Sequence, residues 1–448
     1  MMSKNRLLIF FSVFVLLFGC SFDNKTGIWK GFEEDKRKAL DLENEQNREL
    51  VTIYSSAPSK LQEINALKNI NLSTPKNNTS WQMPDLNLQN FTGNIYFSGL
   101  DNNFLKKKIG KNKFHISKIM SSPIIFEDNI ILSNDTGTIF HVTQKGKIKW
   151  KRNIYKKLYK KIYKKLSFSI YKNVIYVSDN IGYVYALNFD TGDVIWLKNL
   201  YVPLKSKLKI FENKIFLINQ DNRVLCLDIN DGSKIWDIRS ITSFIKTQNF
   251  LPLAISKDGH IVTLGSSGEL MKIKSNNGQM IWAFNVAASS FAHDTDFFNS
   301  SNIVLLDNEI IFFASDSIFS FNFENGFLNW KKDIKSSSIP ILENNYIFLI
   351  SDDGYFLCLK RNDGKIIWST NILKILKEKK RNTRISGFVM GSNKIYATTG
   401  NGYLITSSAS SGKVESFKKI GDPITSSPII SDGSLYVFTE NSRIFGFN

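Results

Sequence analysis

The sequence predicts an all-β fold: an eight-bladed β-propeller closed by pairing of its N- and C-terminal strands, preceded by a signal peptide and a tether. Three observations carry this reading. A Gly-x-x-x-Trp motif recurs at blade-length intervals, a turn-plus-strand signal recurs in phase with it, and the last unit is one strand short. The expected organisation is a signal peptide over 1–19, a lipidated N-terminal tether over 20–91 and the propeller over 92–448.

The motif occurs as Gly146/Trp150, Gly192/Trp196, Gly232/Trp236, Gly278/Trp282, Gly326/Trp330 and Gly364/Trp368. A degenerate seventh copy pairs Gly412 with Ser416 and Phe417. From position 150 to 416 the intervals are 46, 40, 46, 48, 38 and 48 residues, the length of a four-stranded blade. A large ring at one phase of every repeat is read as packing, filling the wedge between neighbouring blades. The glycine opens the turn that lets the strand reverse.

The second signal is a turn residue followed by a short apolar strand. It falls at Asn129, Asn173, Asn213, Gly259, Asn308, Asn345, Asn393 and Gly433. Asn and Gly tolerate positive φ and so suit tight hairpins. Eight second strands face only seven fourth strands, because the unit from Ser427 to Asn448 ends after its third strand. Residues Asn103 to Lys111 are expected to supply the missing strand, sealing the ring and removing its free edge. Cys226 and Cys358 each lie ten residues before a tryptophan, in a column shared with Ala186, Ser320 and Thr406. The column reads as small and buried, and cysteines in separate blades are too far apart to bridge.

The N-terminus reads as an export signal. Lys4 and Arg6 precede a twelve-residue apolar run, Leu7 to Phe18, too short to cross a bilayer comfortably. It ends in Leu17-Phe18-Gly19-Cys20, which resembles the bacterial lipobox. In that family the chain is cut before the cysteine, so Cys20 is the expected lipid attachment site. Multiple acyl chains give a stable anchor. Ser21, where an aspartate would signal retention, implies by the same resemblance the outer membrane. The tether is charged over Asp35 to Leu50 and interrupted by Pro75 and Pro84, with Trp29 and Trp81 as its outlying aromatics.

The formal charge is +18. Behind an export signal this does not point to nucleic acid, and a Lys-, Asn-, Ile- and Phe-rich composition follows from AT-rich codons alone. His115, His141, His260 and His293 form no metal-ligand spacing. There is no Gly-x-Ser-x-Gly elbow, no haem-attachment Cys-x-x-Cys-His and no adjacent Cys-Cys pair. No cofactor and no catalytic residue is expected.

Two families share this blade. The quinoprotein dehydrogenases hold pyrroloquinoline quinone and calcium in eight-bladed propellers. The BamB family comprises lipoproteins of outer-membrane β-barrel assembly that partner the insertase BamA. The chain resembles the second, through its repeats, its lipobox and the Asn77 to Trp81 lead-in. The resemblance implies a non-catalytic scaffold on the periplasmic face of the outer membrane, binding a BamA-type insertase and pairing with strand edges of unfolded outer-membrane proteins. It also implies partner-binding positions after the third and fourth tryptophans: Ile245 and Lys246, where Lys replaces the Arg of some relatives, and Asp294 and Asp296. The alternative is a periplasmic quinoprotein-like oxidoreductase. One feature departs from the family. Lys151 to Lys165 alternates Tyr, Leu and Ile with lysines at helical spacing, which reads either as an amphipathic basic helix for anionic headgroups or as a solvated lysine-rich loop.

Overall fold

A computed structural model describes residues 61–66, 70–114, 122–239, 250–286, 300–377 and 383–448. The signal peptide, Cys20, Trp29, Ile245, Lys246, Asp294 and Asp296 lie outside the described residues.

Short alternating strands joined by tight turns build eight antiparallel sheets of four strands each. Blades 1 to 7 are continuous in sequence: 124–153, 166–199, 209–239, 253–285, 304–332, 341–371 and 385–419. First strands of neighbouring blades touch one another, so they line the centre of the ring and the fourth strands form its rim. Blade 8 is composite. Ile429–Ser431, Ser434–Phe438 and Arg443–Phe447 pair in order, and Asn103–Lys108 joins as the outermost strand. Leu105 faces Gly446 and Lys106 faces Phe445 across that seam. The termini therefore close the ring as the strand count requires.

The apolar core lies between blades, because each sheet buries both faces against its neighbours. One cluster joins Ile131 and Ile139 of blade 1 to Val177 and Leu187 of blade 2, and another joins Phe216 and Cys226 of blade 3 to Ile261 and Ile273 of blade 4. The repeated motif is the seam of this packing. Each glycine from Gly192 onward sits under the tryptophan of the preceding blade: a Cβ on Gly192 would meet the Trp150 ring at 2.7 Å, and one on Gly364 the Trp330 ring at 2.6 Å. Indole N–H groups cross the same seam, Trp150 donating to the Phe189 carbonyl at 2.9 Å and Trp330 to that of Arg361 at 2.8 Å. With φ near +70° as well, Gly192→Ala is expected to cost about 1–3 kcal/mol. Urea unfolding should show a lower midpoint at unchanged slope; an unaltered midpoint would refute the role given to the seam.

Five points add to or change the sequence reading. The first is that the tryptophans pack across the seams as expected but are unevenly enclosed. Trp330 and Trp368 are buried, whereas Trp150, Trp196, Trp236 and Trp282 are only half-buried. All six stand on the fourth strand, at the rim, so a ring can cover the next blade's turn on one side and still meet water on the other. Trp236 shows the arrangement. It packs on Phe216 with ring centroids 6.0 Å apart, lies 2.9 Å from where a Cβ on Gly278 would be, and donates to the Ser275 carbonyl at 3.2 Å.

Second, positive φ falls on Asn173, Asn213, Gly259, Asn393 and Gly433, but in blades 1, 5 and 6 it falls on Glu127, Asp307 and Asn344, because in these two-residue loops only the first residue is left-handed, and in blade 1 Asn129 already pairs in the strand. Third, the column opposite the tryptophans is not uniformly small: His141 faces Trp150 and Lys272 faces Trp282. Fourth, the basic segment is no amphipathic helix. It makes one 3-10 turn, Lys157–Lys161, while Tyr155 and Lys164 are drawn into the body and Leu158 stands 78% exposed. Lysine at 164 satisfies the carbonyls of Tyr159 and Ile162 instead of facing solvent. Finally, residues expected to form the end of the tether belong to the propeller unit, which runs from Leu61 to Asn448.

Cys226 and Cys358 are buried free thiols, as the column position implied, and burial pushes both pKa values up, that of Cys226 to about 12.

Candidate functional site

The first strand of every blade leaves one edge unpaired toward the centre, and buried backbone groups require partners. Residues 73–98 supply them. This strap visits the blades in sequence. Asn78 accepts from the Asp432 amide of blade 8 at 2.7 Å, Trp81 exchanges backbone hydrogen bonds with Ile125 of blade 1, and Gln82 accepts from Ile170 of blade 2 at 2.8 Å. Leu88 accepts from Ile255 of blade 4 at 2.9 Å and Gln89 from Leu305 of blade 5 at 3.0 Å. The Asn94 amide donates to Glu343 of blade 6 at 3.0 Å. Ile95 accepts from Ser392 of blade 7 at 2.8 Å, and Ser98 donates to Gly433 of blade 8 at 3.0 Å. Trp81 is 6% exposed, so it docks on the propeller. Upstream, Ile64 bridges Ser369 on the fourth strand of blade 6 at 2.9 Å in both directions.

At blade 3 the strap is held by charge. Lys209 is buried and donates to the carbonyls of Pro84 at 2.6 Å and Asn87 at 2.5 Å. Asp85 pairs with Lys207 at 2.7 Å and accepts from the Asn302 amide. Desolvation works against the Asp85 carboxylate, but Lys207 and Lys209 outweigh it and hold its pKa below the usual range. Burial pulls the Lys209 pKa down to about 7, with Asp85 opposing and Lys207 adding to the shift.

The strap closes one end of the central passage. What remains is a blind cup of about 550 Å³, with Trp81, Pro84 and Asp85 as its floor and residues at the starts of the first strands as its wall. Lys165, Lys205, Lys207 and Arg384 reach it from the lead-ins of blades 2, 3 and 7. Asp179 lines it too, but its carboxylate accepts from the Tyr155 hydroxyl at 2.6 Å and from the amides of Ile181 and Tyr183 at 3.0 and 2.8 Å. Burial raises the pKa of that carboxyl despite these bonds. The predicted partner-binding positions lie outside the described residues; the described residues that follow each segment, Phe250 and Ser300, both line the cup.

A quinone held by calcium would need carboxylate or amide oxygens converging on a hard cation. The cup's two described carboxylates are both committed elsewhere, and among the described residues no group of three or more His, Cys, Asp or Glu is placed to hold a metal. The donor set does not fit that cofactor. Nor do the two described histidines offer chemistry. His260 bonds to the exposed Asp258 on a turn, and His141 lies edge-on to Trp150 with Nδ1 donating to the Phe189 carbonyl at 3.1 Å. Burial, aided by Lys149, lowers the His141 pKa to about 4 from 6.5. The unfolded chain therefore takes up this proton first. The stability that neutral His141 contributes is complete above about pH 6.5 and is lost as pH falls toward 4. His141→Gln should flatten that part of the stability–pH curve, and an unchanged slope would show that the ring is not buried neutral.

A strapped, closed ring of eight four-stranded sheets places the protein in the class of eight-bladed β-propellers. Solved structures of that class include a quinohemoprotein alcohol dehydrogenase from Comamonas testosteroni, with TM-score 0.63 and 10% identity over 82% of this chain and 80% of that one. BamB from Moraxella catarrhalis matches with TM-score 0.58 and 15% identity over 77% of this chain and 98% of that one. At such identities these likenesses show the fold. Sequence is more selective: residues 163–370 match the family model described as outer membrane protein assembly factor BamB. Proteins of that name from Yersinia pestis (20% identity over 61% of this chain and 68% of the relative) and Escherichia coli K12 (18% over 61% and 81%) are similar to it. Over these stretches the chain is similar to BamB proteins.

Proposed function

We propose that the protein is a non-catalytic scaffold lipoprotein of the outer-membrane β-barrel assembly machinery, anchored through Cys20 at the periplasmic face and binding a BamA-type insertase through propeller loops. The observation that carries this reading is the match of residues 163–370 to the BamB family model, a stretch that contains both segments expected to bind the partner. The mismatch between the cup's donors and a calcium-held quinone supports a binding role over an oxidoreductase. In this reading Ile245 and Lys246 after blade 3, and Asp294 and Asp296 after blade 4, contribute a paired basic and acidic surface. Such rim charges chiefly set encounter rate and specificity.

Affinity purification of the lipidated chain from detergent-solubilised envelope tests the proposal. A BamA-type insertase should co-purify, and a Lys246→Glu/Asp294→Lys variant should recover at least about tenfold less of it, the loss expected when charges are reversed across an interface. Recovery of no assembly subunit, together with dye reduction on adding quinone and calcium, would overturn the proposal in favour of the oxidoreductase.

A further inference from the structure

We propose that the blind central cup is a binding site for a small polyanion, a molecule carrying two or more carboxylate or phosphate groups, held without a metal ion. Three features lead to this ligand class. First, the cup's volume of about 550 Å³ lies within the range of small-molecule sites, and the strap makes it a pocket with a floor rather than a passage.

Second, among the described residues its cations outnumber its acids. Four cations line it, Lys165, Lys205, Lys207 and Arg384, against two carboxylates, Asp85 and Asp179. Lys207 is the partner of Asp85, and Asp179 is occupied by Tyr155 and backbone amides. Neither acid is therefore left to neutralise Lys165 or Arg384.

Third, the lysines crowd one another. Lys165 keeps contact with water, but it stands in a concave wall. Desolvation, followed by the charges of Lys207 and Lys205, lowers its pKa to about 8. An anion seated among these ammonium groups relieves that repulsion and accepts hydrogen bonds from them. Charge-assisted bonds of this kind are the strong ones. Carboxylate and phosphate ligands satisfy the same donors.

The test is isothermal titration of the full chain with inorganic pyrophosphate and, separately, with citrate, each after divalent metal has been removed from chain and buffers with a chelating resin. Saturable binding at one site is expected with at least one probe. Binding to pyrophosphate alone identifies a phosphate site, and binding to citrate alone a polycarboxylate site. Lys165→Gln/Arg384→Gln should weaken that binding at least about tenfold, and raised salt should weaken it further. Lys149→Gln/Lys151→Gln, on the outer strand of blade 1, should leave it unchanged. Circular dichroism melting of each variant separates loss of the site from loss of the fold. Absence of binding by both probes at millimolar concentration would overturn the proposal. So would equal weakening by the blade 1 variant, which would mean diffuse attraction to a basic surface.

Discussion

Asp85→Ala is expected to destabilise the propeller by about 3–5 kcal/mol, the cost of leaving a buried charge without its partner. Asp85 stands between Lys207, 2.7 Å away, and Lys209, which is fully buried and donates to two carbonyls of the strap. Without the carboxylate, Lys209 must give up its proton or its burial. Either outcome loosens the strap at blade 3, and the inner edges of blades 4 and 5 lose the acceptors on Leu88 and Gln89 in turn. Asp85→Ala/Lys209→Met should recover part of the loss, since no unpaired charge remains. Recovery should be incomplete, because the Pro84 and Asn87 carbonyls keep a desolvation cost of about 1–3 kcal/mol. Urea unfolding of the four forms of this double-mutant cycle measures the coupling. A single-mutant loss under about 1 kcal/mol would mean that the strap rests on the ring without supporting it.

Trp368→Ala should cost about 3–5 kcal/mol, the penalty for emptying a large buried aromatic site. Trp368 is 0% exposed, lies edge-on to Phe356 with centroids 4.7 Å apart, and covers Gly412 of blade 7. Trp236→Ala should cost less, since that ring is half-buried and empties a smaller cavity. The conservative replacements separate packing from hydrogen bonding. The Trp368 indole N–H has no partner among the described residues, whereas that of Trp330 donates to the Arg361 carbonyl at 2.8 Å. Trp330→Phe is therefore expected to cost about 1 kcal/mol more than Trp368→Phe. Equal losses would show that the indole bonds across the seams contribute nothing measurable.

The blades were readable because their signals are local. Gly192 and Trp196 lie four residues apart, and the glycine must be there both for its positive φ and because the Trp150 ring occupies the space of a Cβ. How deeply each ring is enclosed was not readable, because the motif fixes the strand of Trp236 or Trp368 but not what covers its outer side. Ring closure was readable by counting strands, since Asn103–Lys108 fills the single vacancy beside Arg443–Phe447. The strap was not readable. Residues 73–98 bind mostly through backbone groups to edges lying far along the chain, as Trp81 does to Ile125 and Ile95 to Met390, so their side chains follow no period. The basic segment misled for a related reason. Its spacing is helical, but the Tyr155 hydroxyl finds Asp179 and the Lys164 ammonium finds nearby carbonyls, and those contacts override an isolated short helix. The cup escaped notice because its cations come from separate blades, so Lys165, Lys207 and Arg384 meet in space with no motif in common.

The most direct test of the scaffold reading is calorimetric titration of the purified full-length protein with the soluble periplasmic module of the BamA-type insertase from the same cell. The expected result is saturable one-to-one binding that weakens with salt and is abolished by Lys246→Glu/Asp294→Lys, while the Asp85→Ala variant binds only to the extent that it remains folded. Absence of binding by the folded wild-type chain, or binding indifferent to both loop substitutions, would contradict it.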